Sequence, residues 1–313
     1  MNQNLPALFL ERMKKILPKD RYDLAMEGFF LPRALSVRIN MLKAGREDVL
    51  GALKEKNIGF KEVSWAKEAL VLERISPAEL GSMDLVTEGF IYRQGLSSML
   101  PVIFLDPQPE EKVLDMCASP GSKATQIAAR MNGQGKLVCI EAVRGRYYKL
   151  KSVVQLMGAD NVSIHLMDAR RFHLRDEPFD KILVDAPCSS EGRFNVDDPK
   201  TFAYWSPRKI KEMVRKQKGL LLSASRLLRA RGVLVYATCT FAPEENEGVV
   251  HWLLKKTEGA LAAEKVIAPA IGSYPAVTEW KGKKFNDQVQ NCLRVLPGDG
   301  MEGFFIAKFK KNH

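Results

Sequence analysis

The fold is decided by the stretch VLDMCASPGSKATQIAARM, residues 113–131. A short apolar strand, Val113-Leu114, ends in an acid, Asp115. A turn of small residues and proline, Ala118 to Gly121, leads into Ala124, Ile127, Ala128 and Met131 at helical spacing. Strand, tight turn and helix form the opening unit of a doubly wound sheet, where ligands sit at the carboxyl ends of the strands. Gly121-Ser122-Lys123 is followed by Ala124, where a phosphate-cradling loop has Ser or Thr, and no glycine stands five residues before Gly121. The three-glycine dinucleotide fingerprint is missing too. Alone, the stretch fits either a nucleoside-type cofactor site or a plain structural turn.

Downstream, strands are expected at 136–140 (ending at Glu141), 162–166 (reaching Asp168), 181–184 (reaching Asp185) and 232–237 (reaching Cys239), with a helix over 147–157. Such alternation implies right-handed crossovers and a mostly parallel sheet with helices on both faces. Four consecutive strands end at an acid, Asp115, Glu141, Asp168 and Asp185, so these carboxylates are expected to line one crevice. Ser206-Pro207 opens the last crossover helix. One of its faces carries Ile210, Met213, Val214, Leu221, Ala224 and Leu228, and the other Arg208, Lys209, Lys211, Arg215, Lys216 and Lys218. Residues 292–296 and 303–309 read as an antiparallel hairpin on the edge of the sheet, a feature of methyltransferase-type folds.

Upstream, Leu8, Phe9, Met13, Ile16 and Leu17 form an apolar helical stripe that Pro18 ends. A strand at 36–41, a helix at 47–56 and strands at 60–63 and 69–72 predict a small α+β domain over residues 1–105. A helix over 97–105 and a proline-rich stretch to Pro109 mark its boundary. Arg38, the charged residue of the first strand, is expected to face solvent, or RNA.

The 313 residues suffice for a sizeable core in one large or two ordinary domains. No run of 18 apolar residues occurs, and MNQNLPALFLERMKK lacks an export signal, so the expectation is a cytoplasmic protein with no membrane partner. Five widely spaced cysteines, without a CxxC pair, and four scattered histidines predict neither disulfides nor a metal site. The net charge is +11, of which residues 1–105 carry only +2, so the basic excess lies with the doubly wound part and points to a polyanionic partner.

Two cysteines follow strand ends on the crevice side: Cys188 in DAPCSSEG (185–192) and Cys239 in ATCTFAPEENE (237–247). Cys117, Cys139 and Cys292 read as small buried hydrophobes. A helix expected to begin near Pro243, together with Lys123, would lower a thiol's pKa and generate the nucleophilic thiolate.

VLDMCASPGSK, DAPCSSEG and YATCTFAPEENE, in this order and at these separations, resemble the RNA cytosine-C5 methyltransferases of the Nop2/Sun (Fmu) family. SVRIN, YRQGLSSMLP and the closing GFFIAKFKK extend the resemblance over nearly the whole chain. The PGSK form, with ARMN and EENEGVVHWL, looks most like the bacterial enzymes that methylate small-subunit ribosomal RNA, although the chain ends at His313 without their C-terminal RNA-binding extension. Ser190 stands where a glycine is more usual.

The resemblance implies a Rossmann-like methyltransferase domain over 106–313, S-adenosylmethionine as cofactor, and a monomer acting on rRNA, or on tRNA. It implies Cys239 as the nucleophile that adds to C6 of cytosine and makes C5 able to attack the methyl group. It further implies Cys188 assisting release, Asp185 bonding the ring near N3 and Lys123 reaching into the pocket. For the cofactor it implies the turn Cys117, Ala118, Ser119, Pro120, Gly121, Ser122 and Lys123, with Glu141 on the ribose, Asp168 on the adenine amine, and Arg146 and Asp185 close by. Two other readings stay open: a non-catalytic RNA-binding or ribosome-assembly factor, and a DNA enzyme, which would use the Pro-Cys thiol, Cys188, as nucleophile.

The loop 189–205, SSEGRFNVDDPKTFAYW, would cover an unstacked base or anchor itself to the core through at least two of its aromatics. Arg170, Arg171, Arg175 and the basic face after Pro207 are candidate phosphate contacts.

Overall fold

The computed structural model describes residues 5–31, 33–173, 177–298 and 300–312. Its contacts divide the chain into two units, Arg33–Leu183 and Met1–Pro32 with Val184–His313. The division falls inside the strand Phe179–Asp185.

The unit Arg33–Leu183 begins with an antiparallel sheet of β1 (Leu35–Ile39), β2 (Gly59–Val63), β3 (Ala66–Glu73) and β4 (Ile91–Arg93), in the order β2-β3-β1-β4. The helix Arg46–Glu55 covers it through Val49, Leu50 and Leu53, which pack with Val37, Ile39, Leu70 and Leu72. Two short helices, Pro77–Gly81 and Asp84–Thr87, close the cluster through Leu80 and Leu85; the sequence reading did not anticipate them. Arg38 corrects an expectation, because it is buried rather than solvent-facing. Its Nε donates to Gln94 Oε1 at 2.9 Å and an Nη to Thr125 Oγ1 at 2.8 Å. Gln94 in turn donates to Gln126 at 2.9 Å. A buried guanidinium needs several acceptors, and SVRIN, YRQG and the helix after PGSK supply them together. Burial lowers its pKa to about 10.

In the same unit lie the parallel strands β5 (Lys112–Asp115), β6 (Lys136–Glu141) and β7 (Val162–Leu166) and, up to Leu183, β8 (Phe179–Asp185), in the order β8-β5-β6-β7. The helices Ser122–Arg130 and Arg144–Leu156 form two of the crossovers. Gly121 caps the first of them with φ +115°, where any Cβ would stand 2.8 Å from Val153. Only glycine meets both demands.

The second unit holds β9 (Leu228–Thr238), β10 (Leu261–Glu264), β11 (Ser273–Tyr274), the small β12–β13 ribbon (Glu279–Trp280 with Lys283–Lys284), β14 (Leu293–Val295) and β15 (Phe304–Lys311). β15 runs antiparallel to both β9 and β14, as the expected hairpin requires. Its position is a correction: β11 pairs beyond β14 and β10 pairs with β15, so the hairpin is interior rather than at the edge. The continuous apolar run Phe304 to Ala307 suits a strand covered on both faces. The helix Pro207–Leu227 buries Ile210, Met213, Leu221 and Ala224, along with Gln217, a polar residue the apolar pattern does not reveal.

The helix Ala7–Ile16 buries Phe9, Met13 and Ile16, whereas Leu8 is 45% exposed. Phe9 stacks at 4.8 Å on Phe194, which with Phe202 and Trp205 anchors the loop 189–205. Tyr204 is 90% exposed.

Candidate functional site

In the unit Arg33–Leu183, the strand ends assemble a row of acids. Asp115 is buried and its Oδ1 accepts from the Cys117 N–H at 3.2 Å. Ala118 donates to the Ile140 carbonyl at 3.0 Å, tying the turn to the next strand. Arg146 donates to the Ser119 carbonyl at 2.8 Å while the Ser119 hydroxyl donates to the Arg146 carbonyl at 2.9 Å. Arg146 thus clamps the turn and also lies 3.4 Å from Glu141. Glu141 takes the Val143 N–H at 2.8 Å on Oε1, and its carboxylate keeps acceptor capacity of the kind a ribose diol needs. Asp168 is engaged by its neighbour, because both its oxygens accept from the Arg170 guanidinium at 3.0 Å, and this hydrogen bonding lowers its pKa. Lys123 is buried and donates to Ser98 Oγ at 2.7 Å, joining PGSK to YRQGLSS. A left-handed glycine turn, a carboxylate with spare lone pairs and a nearby arginine fit an S-adenosyl group chemically.

In the other unit, the two cysteines meet. Cys188 Sγ lies 3.2 Å from Cys239 Sγ, and Ser190 Oγ is 3.6 Å from Cys239. Asp185 ends β8, and Ala186 donates to the Ala237 carbonyl of β9 at 3.0 Å, which holds the two motifs in register. The thiols differ in character. The Cys188 hydrogen bond and the Arg193 charge lower the Cys239 pKa against the effect of burial; the same hydrogen bond, with burial, raises that of Cys188. Of the two thiols, Cys239 is therefore the more readily ionised.

The helix expected near Pro243 starts at Glu247 instead, with residues 243–246 in turns. Asn246 is the reason: it donates to the Thr240 carbonyl at 2.8 Å and accepts from Thr238 Oγ1 at 2.6 Å, folding the segment back over Cys239. Each acid of this segment then pins a different piece. Glu244 receives a bidentate pair from Arg12, at 3.1 and 2.7 Å. Burial alone would raise its pKa, but Arg12 holds it at about 2. Glu245 accepts from the Ser189 N–H at 3.0 Å, from the Ser189 hydroxyl and from Gln217 at 2.8 Å. Burial, reinforced by Glu191, pushes it up to about 8. Glu247 and Arg294 form a fully buried pair at 2.5 Å.

Sequence reasoning missed Arg193, Glu191, Glu245 and Glu302. Glu191 accepts from Thr240 at 2.9 Å, Phe241 N at 3.1 Å and Trp205 at 2.9 Å, so it braces the Cys239 strap. The signal available was the row of acids in PEENE among buried neighbours. Arg175 lies outside the described residues. No group of metal-binding side chains occurs among the described residues, and no helix there is long and apolar enough to cross a membrane.

A doubly wound methyltransferase sheet bearing this cysteine pair defines the class: an RNA cytosine-C5 methyltransferase. The chain belongs to the family described as 16S rRNA methyltransferase RsmB/F, whose model matches residues 102–310 and whose ferredoxin-like domain model matches residues 5–79. The family's methyl donor is S-adenosylmethionine. The tRNA (cytosine(49)-C(5))-methyltransferase of Pyrococcus abyssi is 37% identical over 97% of this chain and 99% of its own. Ribosomal RNA small subunit methyltransferase F of Serratia proteamaculans is 35% identical over 99% of this chain, which spans 64% of that protein. A crystal structure of a methyltransferase homologue from Pyrococcus horikoshii superposes with a TM-score of 0.80 at 30% identity, covering 98% of this chain and all of that one.

Proposed function

We propose that the chain transfers a methyl group to C5 of a cytosine in ribosomal RNA, with Cys239 as the attacking thiolate. The observation that carries this is the 3.2 Å contact between two thiols whose pKa values are shifted in opposite directions, Cys239 lowered and Cys188 raised. Addition of Cys239 Sγ to C6 turns C5 into an enamine-like carbon. S-adenosylmethionine, when bound, supplies the electrophilic methyl group. After transfer, Cys188 in its thiolate form takes the proton from C5, the C5–C6 double bond re-forms and Cys239 Sγ leaves C6 as a thiolate, while Asp185 bonds the ring at N3. Lys123 reaches toward the base. The turn Cys117 to Ser122 takes the methionine part, with Arg146 holding the turn; Glu141 takes the ribose hydroxyls and Asp168 the adenine amine.

Residues 1–105 serve as the RNA-binding domain and 106–313 as the transferase, in a cytoplasmic monomer. The 16S family model supports the ribosomal substrate. A second reading, transfer RNA, is favoured by the 37% identity to the P. abyssi tRNA enzyme over almost the whole of both chains. Bisulfite sequencing of total RNA with and without the gene tests both. Loss of a protected cytosine in 16S rRNA is expected; loss confined to tRNA selects the second reading, and an unchanged pattern refutes both.

A further inference from the structure

The backbone beside Cys239 is stitched more closely than any side chain would permit. Gly192 N donates to the Cys239 carbonyl at 3.0 Å, and Gly303 N donates to the Gly192 carbonyl at 3.1 Å. A Cβ on Gly192 would stand 2.0 Å from the Gly303 carbonyl oxygen, and one on Gly303 2.2 Å from the Phe241 ring. Two glycines therefore draw three segments together, and each is flanked by a charge: Arg193 follows Gly192 and Glu302 precedes Gly303. Arg193 Nε and Glu302 Oε2 are 3.5 Å apart. Cys239, Cys188 and Asp185 also lie within electrostatic reach of the Arg193 guanidinium.

We infer that Arg193 is the cation that stabilises the Cys239 thiolate, and that Glu302 is its counterweight, drawing off part of that charge. The inference rests on the reading of Cys239 as the nucleophile. It gives Arg193 a role that positions charge without touching substrate, and it explains why a helix amino end is not needed at this thiol. Two opposed charges follow from the pairing: Arg193 favours the anionic sulfur, and Glu302 disfavours it. Arg193 ends the short 3-10 turn whose Gly192 bonds the Cys239 carbonyl, and Glu302 precedes Gly303, which bonds Gly192, so the arrangement is held independently of bound RNA.

The test is iodoacetamide alkylation of the full chain across a pH series, without RNA or cofactor, with Cys239 and Cys188 resolved by peptide mass spectrometry. R193Q is expected to move the Cys239 alkylation midpoint upward by about one pH unit, an alkylation rate about tenfold lower near neutrality. R193K should recover most of the rate, and E302Q should move the midpoint downward. An unmoved midpoint in R193Q overturns the inference, and so does an upward shift in E302Q, which would make Glu302 the holder of Arg193. Should R193Q fail to fold, judged by circular dichroism, R193K and E302Q still decide: an E302Q midpoint that does not fall overturns it. A wild-type protein with a low Cys239 midpoint that methylates no RNA would instead sink the proposed function and leave this inference standing.

Discussion

Cys239 and Cys188 share a side-chain type but have pKa values shifted in opposite directions, and substitution separates their work. Cys239→Ala should abolish transfer of labelled methyl groups. Cys188→Ala should still add to the base but release it poorly, and so accumulate a protein–RNA adduct that survives denaturing electrophoresis; no such band would refute the release role. The resemblance assigns the attack to Cys239, whereas the motifs Pro-Cys-Ser and Thr-Cys-Thr taken alone do not distinguish the two thiols. The opposite pKa shifts of the two thiols arise from their mutual contact, burial and the Arg193 charge, which are tertiary properties. Glu245 gives a pH prediction. Its pKa rises from 4.5 unfolded to about 8 folded, so its stabilising contribution is complete below about pH 4.5 and is lost as pH rises through about 8. Thermal melts should decline over that window in the wild type and flatten in Glu245→Gln; a parallel decline in the variant would refute this.

At the scale of elements, the strands of the doubly wound part were legible because each is a short apolar run closed by an acid: the strand at 162–166 matches Val162–Leu166 at both ends. The segment 243–246 was not. Pro243 resembles a helix start, but Asn246 bonds back to Thr240, Glu244 and Glu245 spend their hydrogen bonds on distant partners, and local propensity yields to those contacts. Arg38 shows the same limit. A charge in a strand reads as solvent-facing until its acceptors, far away in sequence, are known. The buried Arg294–Glu247 pair makes this measurable. Glu247→Gln leaves a buried cation short of its counter-charge and should cost about 3–5 kcal/mol by denaturant unfolding. A loss under about 1 kcal/mol would mean that the pair is not buried as described.

For the whole molecule, the charge imbalance was legible in the sequence. Residues 5–31 share a compact unit with residues after 184, through Phe9, Phe29 and Phe194, a partnership no local pattern announces. The net +11 predicts salt-sensitive RNA binding. Replacing the exposed Arg208, Lys211 and Arg215 with glutamine should weaken binding and flatten the slope of log affinity against log salt. An unchanged slope would move the RNA contact to another face.

The 3.2 Å approach of Cys188 to Cys239 also makes the pair vulnerable to oxidation. A peroxide would convert the Cys239 thiolate to a sulfenic acid, and attack by Cys188 would expel water and leave a disulfide, the two thiols together giving up two electrons. Catalysis would stop without any loss of fold and return on treatment with dithiothreitol. Methyl transfer by this chain would thereby follow the reducing state of its surroundings.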